Sequence, residues 1–345
     1  MGRTDMAAMK DKRILVGIAY NGYDPLTGRK VDRPSEESVE QTAKEVLTAV
    51  TELGYSAFII SLQKSFMNFL QRLKTLNADV VINLCEAFLG HPQLEANVAA
   101  AFELLGLSYT GNDSRTLALC LNKFKTKAVL KSSGLPTAPA LLVETVDQKI
   151  DLPFPLIVKP NTEDASLGIH PDSVVRDEDA LRKQVARILE IFDEPVLVEQ
   201  FIEGREFNVA VMDLDKPEAL PVSEIDFTNL PEGQPPICSY EAKWHTEDIL
   251  FQATPPVCPA NIDEALKTKL QETAVKAFLA CECRDYARVD FRVDKKGRPY
   301  ILEVNPNPDI SLNAGYARGL AAAGIDYKVF WRRLIEKAKS RKRMS

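Results

Sequence analysis

Carboxylate, amide and guanidinium side chains recur at alternate positions in two short runs near the end of the chain. In residues 286–293 (YARVDFRV) strand alternation puts Arg288, Asp290 and Arg292 on one face, with Ala287, Val289, Phe291 and Val293 on the other. In residues 301–305 (ILEVN) it groups Glu303 with Asn305 and sets Leu302 and Val304 opposite. With Asp294-Lys295-Lys296-Gly297 as the turn, Val293 faces Arg298, and Asp290 becomes a diagonal cross-strand neighbour of Glu303. Asp290, Glu303 and Asn305 then lie within side-chain reach of one another. Oxygen donors of this kind suit Mg²⁺, which takes a few carboxylates, waters and substrate phosphates. The same pattern also fits a two-stranded sheet with one solvated face.

A second group of residues suits an anionic ligand. Lys159 ends an apolar run, PLIVKP, where a solvated lysine has no special reason to be. After it, residues 161–170 (NTEDASLGIH) carry the small residues Ala165, Ser166 and Gly168, which suit a mobile loop whose backbone N–H groups close over phosphates. Glu199 ends another apolar run, and Glu206 follows a bend at Glu203-Gly204-Arg205, so the two could flank a nucleotide or stand as surface carboxylates. The glycine signatures GxGxxG and GxxxxGK[ST] are absent, so the Rossmann dinucleotide and P-loop routes to phosphate lack their glycines.

The elements that must position these residues divide by pattern. Residues 13–20 (RILVGIAY), 56–61 (SAFIIS) and 78–83 (ADVVIN) read as strands. Between the first two, Val39, Ala43, Val46, Val50 and Leu53 form the apolar stripe of a helix ended by Gly54. A helix over 93–105 stops at Gly106. This alternation predicts a parallel sheet covered on both faces, with ligands beyond the carboxyl ends of its strands. A basic helix follows over 122–133, then a small mixed unit with strands at 141–143, 155–160 and 196–200 and a helix over 177–192. From Glu206 a third region holds the strand EFNVAVM, a Pro-rich loop over 226–259, a helix over 262–281, the hairpin and a helix over 327–339. The tail KSRKRMS reads as a solvated, frayed end.

With 345 residues, two or three domains are expected. Hydrophobic residues at 45% and charged residues at 27% exclude a disordered or fibrous class. Lys+Arg 43 against Asp+Glu 49 gives a net charge of -6, which offers no chain-wide attraction to nucleic acid or anionic lipid. Six cysteines without a CxxC pair, and only three histidines, read as reduced, mostly buried thiols and not as a zinc site. The start MGRTDMAAMKDKR has no apolar signal core, Met6 breaks the myristoylation pattern, and no apolar run approaches a membrane span. The expectation is a soluble cytoplasmic protein with neither nucleic acid nor membrane as partner.

The order of these features carries more than any one of them. Lys123, Lys159, the small-residue loop, VEQFIEGREF, Lys243 and the pair VDFR and ILEVN resemble the ATP-grasp superfamily. NLCEAFLG, ELLGLSYTGND, NKFKTK, IVKP, EGREFNVAV, SYEAKW, ARVDFR and LEVNPNP are similar to its D-alanine-D-alanine ligase branch, over nearly the whole chain. The resemblance implies a three-domain ATP-grasp α/β fold with an N-terminal parallel-sheet domain, divided at 1–117, 118–200 and 201–345, and ATP between the last two. It implies an enzyme that joins a carboxylate to an amine through an acyl phosphate, needing cations and backbone donors more than a protein nucleophile. No GxSxG or other nucleophile signature is present.

By position in the family's motifs, Lys123 and Lys159 would touch the ATP phosphates and the loop from Ser166 to Gly168 would close over them. The backbone of Gln200 and Ile202, next to Glu199, would meet adenine, Glu206 the ribose hydroxyls, and Lys243 the phosphate end. Asp290, Glu303 and Asn305 would hold two Mg²⁺, with Mn²⁺ as an alternative. Arg288 would steady the carboxylate and then the oxyanion, and Asp309 would offer a backbone N–H to it. Glu37, just ahead of the first long helix, falls where the family holds the ammonium of its first substrate; a helix-start glutamate favoured by the dipole is the other reading.

Departures from the family concern the substrates. Its phosphate-loop serine and its tyrosine correspond here to Ala165 and Trp244, so their hydrogen-bonded set with the glutamate cannot form in the usual way. The family's small turn after the metal asparagine, with glycine after its proline, is here Asn305-Pro306-Asn307-Pro308-Asp309, and the serine that grips the second substrate's carboxylate corresponds to Ala314. The Asp309 carboxylate would repel a substrate carboxylate and welcome an amine or cation. The substrates are expected to be a small carboxylate and an amine, amino acids by the family's habit, with D-alanine not required. A catalytically inactive nucleotide-binding module that works through partner binding is the alternative, and a Rossmann dehydrogenase comes last. The family's dimers leave a homodimer open.

Overall fold

The computed structural model describes residues 14–22 and 33–341, without the side chains of residues 33–37. Near the N-terminus three apolar runs form strands β1 (Leu15–Asn21), β2 (Ser56–Leu62) and β3 (Val80–Leu84). They pair in parallel in the order β2-β1-β3. Parallel strands need crossovers, here the helices α1 (Arg33–Glu52) and α2 (Phe66–Leu76). The predicted stripe is the buried one, since Val39, Ala43, Val46 and Val50 are at most 4% exposed. Helix α2 was absent from the sequence reading. A 3-10 turn at Pro92–Leu94 precedes α3 (Glu95–Leu104), so this helix starts later than expected. The predicted start of β1 at Arg13 lies outside the described residues.

The basic helix over 122–133 proves to be the second of two. Helix α4 (Ser114–Leu121) ends at Asn122, whose side chain caps α5 (Lys123–Ser132) by accepting from the Lys125 N–H at 3.0 Å. The next sheet contains β4 (Ala140–Val143), β5 (Leu156–Pro160), β6 (Val174–Val175) and β7 (Val196–Gln200), antiparallel in the order β4-β7-β5-β6. Helix α6 (Glu178–Phe192) buries Leu181, Val185 and Ile188 against Val158 and Val198.

The third sheet is built from β8 (Gly204–Asp213), β9 (Pro217–Ala219), β10 (Ser223–Ile225), β11 (Pro256–Val257), β12 (Tyr286–Asp294) and β13 (Pro299–Asn305). Its order is β11-β10-β8-β12-β13, with β9 also on β8. The Pro-rich segment is not bare loop: it holds the short helices α7 (Tyr240–Trp244) and α8 (Ile249–Gln252) and strand β11. Helix α9 (Glu264–Ala280) covers the sheet with Leu270, Ala274 and Phe278. Helices α10 (Gly315–Ala322) and α11 (Tyr327–Ser340) then return to the first sheet, where Phe330, Trp331 and Leu334 share a core with Val16, Ile18 and Val46.

Two expectations about this region need correction. The hairpin register is direct, with Asp290 opposite Glu303 and Val293 opposite Pro299. A bulge between Asp290 and Phe291 leaves Leu302 as the extra residue, so Leu302, Glu303 and Asn305 face the cavity while Ile301 and Val304 are buried. The tail is also less frayed than expected, because the Arg341 guanidinium bonds the buried Asp285 carboxylate. Residues 342–345 lie outside the described residues.

Candidate active site

A cavity of about 650 Å³ lies where the three sheets meet. The first sheet contributes Asn21 at the carboxyl end of β1 and Glu86 just beyond that of β3, where parallel sheets present their ligands. The second contributes Lys159, Glu199 and Gln200; the third contributes Glu206, Arg288, Asp290, Glu303 and Asn305. Ser166, Ile202, Lys243 and Asp309 line it as well. Thus most of the residues singled out from sequence share one space.

Three do not line it in the described structure. Lys123 is 4% exposed behind the wall, where its Nζ donates to the Glu163 carbonyl and stands 3.3 Å from Asp164 and 3.6 Å from Glu303. Burial lowers its pKa, but Asp164 and Glu303 prevail and hold it above the usual lysine value. Gly168 turns the loop from underneath: at φ +75°, a Cβ there would meet the Phe192 ring at 2.8 Å and Pro160 at 2.7 Å. Glu37 stands inside α1, which begins at Arg33, not ahead of it, and its side chain lies outside the described residues.

Glu199 is no surface carboxylate. It is 1% exposed and held between Lys127 and Lys159, each at 2.6 Å. Burial raises a carboxyl pKa, yet these two cations keep that of Glu199 below the usual range. Lys127 was missed in the sequence; its spacing of four from Lys123 puts both on one face of α5, and both are buried. Glu206 accepts from Arg292 at 3.0 Å, across the β8–β12 register that pairs them. Gly204, which starts β8, is the one residue type that fits there: a Cβ would lie 1.9 Å from the Val293 carbonyl.

The oxygen donors converge as a metal site requires. The Asn305 amide nitrogen is 3.0 Å from Asp290 and 3.2 Å from Glu303. Arg288 forks onto both oxygens of Asp290 at 2.7 Å, so an ion would share that carboxylate with the guanidinium or displace it. Burial raises the pKa of Asp290 against the pull of Arg288; that of Glu303 is held low, against burial, by Lys123, Lys159 and Arg288. Among the described residues no three His, Cys, Asp or Glu side chains group as ligands; here the third donor is asparagine. Two carboxylates and an amide within reach of one point fit a hard cation that completes its shell with water and phosphate.

The loop over 161–170 is clamped down rather than open. Ala165 and Ser166 take left-handed φ values of 55° and 62°. Ser166 Oγ donates to the Cys238 carbonyl at 2.9 Å, and the Trp244 indole donates to the Ala165 carbonyl at 2.9 Å. Ala165 and Trp244, two of the positions expected to depart from the resembling family, therefore meet through a bond of their own. Lys243 lies over the Trp244 ring, 5.2 Å from its centroid.

Three sheets around one cation-lined cleft, with paired carboxylates on a hairpin, define an ATP-grasp protein. A family profile described as D-ala D-ala ligase C-terminus matches residues 124–336. A D-alanine–D-alanine ligase of Pelotomaculum thermopropionicum is 30% identical over 89% of this chain and 94% of its own. An uncharacterized protein of Sinorhizobium fredii is also 30% identical, over 91% of this chain and 92% of its own. The crystal structure of the D-alanine–D-alanine ligase from Bacillus anthracis complexed with ATP shares the fold, with a TM-score of 0.74 at 23% identity over 94% and 97% of the two chains. The chain belongs to the D-alanine–D-alanine ligase family of ATP-grasp proteins. Members of this family are ATP-dependent ligases that use ATP and Mg²⁺.

Proposed function

We propose that this protein is an ATP- and Mg²⁺-dependent ligase that joins a small carboxylate to an amine, with D-alanine not required as the acceptor. The observation that carries this reading is the complete set of Lys159, Arg288, Asp290, Glu303 and Asn305 around one cavity. The division 1–117, 118–200 and 201–345 belongs to the same reading.

Lys159 and Lys243 are assigned to the ATP phosphates, with Lys123 acting from behind the wall on Glu303 and Asp164. The 161–170 loop, through Ser166 and turned by Gly168, covers them. The backbone of Gln200 and Ile202 takes adenine, and Glu206, with one oxygen on Arg292, keeps the other for ribose. Glu199 fixes Lys159 in place. Asp290, Glu303 and Asn305 would hold the Mg²⁺, or Mn²⁺, that neutralises phosphate charge when bound. Glu37 is retained as a candidate for a substrate ammonium.

The substrate carboxylate attacks the γ-phosphorus and its bond to ADP breaks, giving an acyl phosphate. The amine then attacks the acyl carbon, the C–O bond to phosphate breaks, and the nitrogen loses its proton. Arg288, freed from one oxygen of Asp290, and the Asp309 N–H face the oxyanion. This predicts phosphate release from ATP only when both partners are supplied, and loss of about a hundredfold or more in Glu303→Gln. Tight ATP binding without release across a broad amine panel would favour the inactive nucleotide-binding module instead.

A further inference from the structure

Glu199, Glu206, Asp290 and Glu303 each have a cation within 3.6 Å. Glu86 lines the same cavity without one: among the described residues its carboxyl makes no hydrogen bond or ion pair. Its position is fixed, since its N–H donates to Asn21 Oδ1 at 2.8 Å at the carboxyl edge of the parallel sheet. The charged groups that face it are Asp309, Lys243 and Asp164. Behind it Glu95 is engaged by Asn307 at 2.9 Å. Asp309 accepts from the Ser311 N–H through one oxygen and likewise has no ion pair among the described residues. Two acidic side chains therefore line the cavity without an ion pair among the described residues. Beside Asp309, Arg318 lines the cavity with its Nε buried and without a partner.

We propose that Glu86 and Asp309 bind a cationic group on the amine substrate, so that the acceptor carries a second positive charge, as a diamine or basic amino acid does. The inference rests on the ligase reading and extends it. The attacking nitrogen must be neutral when it reacts, so carboxyls that persist through the step match a second, non-reacting ammonium. The charge of Asp309 disfavours ionisation of Glu86, and a cation between them removes that cost. Burial, then Asp309, push the Glu86 carboxyl up to about 8, so it is largely protonated in the ligand-free cavity and gives up its proton when a cation arrives. Arg318, which donates to the Asn313 carbonyl, also lines the cavity and is the cation that the carboxylate of a basic amino acid would meet.

The test is calorimetry with the full chain and Mg-ADP, titrating 1,4-diaminobutane, lysine and alanine in buffers of different ionisation enthalpy. The expected result is that diaminobutane or lysine binds about tenfold tighter than alanine at about pH 7, releasing close to one proton. Glu86→Gln should lose the preference and the proton release while still unfolding cooperatively; should it not fold, Asp309→Asn must lose the preference. Alanine binding as tightly as both basic compounds, or a preference unchanged in the variants, would overturn the inference. Phosphate release tells the two readings apart. Diamine binding without release in any carboxylate pairing removes the ligase reading alone, whereas alanine-driven release indifferent to Glu86→Gln removes this inference alone.

Discussion

Glu86 and Glu199 show how neighbours decide what a carboxyl in the cavity wall does. Glu199 is ionised between two lysines, and Glu86 is pushed to about 8 with none in bonding reach among the described residues. For Glu86 the folded value exceeds the unfolded carboxylate value of about 4.3. Below that value both states are protonated. Between about 4.3 and 8 the unfolded chain binds fewer protons than the folded one, so stability falls as pH rises. Glu95 and Glu194, both raised by burial and the latter to about 7, act in the same direction. Urea denaturation of the ligand-free protein should therefore show stability declining from about pH 5 to 8, with a shallower decline in Glu86→Gln. An unchanged slope in that variant would refute the Glu86 assignment. From the sequence, Lys159 stood out because a lysine ended an apolar run. Lys127 did not, because a basic helix face looks the same whether water or a carboxylate meets it. Glu86, next to a strand end, carried a signal only through the rule that ligands gather there.

At the level of elements, parity was enough to select Asp290, Glu303 and Asn305, yet it misplaced their partner. Strict alternation buries Leu302, whereas the bulge turns it into the cavity and brings Asp290 and Glu303 directly opposite. A bulge leaves no mark in a pattern of alternating types, so this detail was not legible. Parallel strands and the α1 stripe were legible because both burial faces repeat over several turns or strands. The short helices α7, α8 and α10 were not, being too short to show a period. The close approach of β8 to β12 makes Gly204 the test at this scale. Gly204→Ala would drive a methyl into the Val293 carbonyl and should destabilise by ~2 kcal/mol or more, read as a lower urea midpoint at unchanged slope.

Across the whole molecule, the segment Gly111-Asn112-Asp113, noticed first as a motif, joins the N- and C-terminal parts. Asn112 donates to the carbonyls of Tyr286 at 2.8 Å and Pro306 at 2.6 Å and accepts from the Arg284 N–H at 2.7 Å. It thereby ties the start of β12 and the residue that follows β13 to the segment beside the first sheet. Gly111 N–H and Arg341 meet on Asp285, and α11 packs beside α1. Asn112→Ala removes the partner of two buried carbonyls and one part-buried N–H and should cost ~3 kcal/mol, measured by denaturant unfolding. None of the described helices is long and apolar enough to cross a membrane. The net charge of -6 said nothing of the cleft, whose cations come together only through folding.

The central claim is that ATP activates a substrate carboxylate before the amine attacks it, and the fate of one oxygen tests it. With both carboxylate oxygens labelled as ¹⁸O, mass spectrometry of the released phosphate should find a single labelled oxygen, with the other retained in the amide. Phosphate released without label would contradict the account, because ATP would then have been cleaved without passing through the carboxylate.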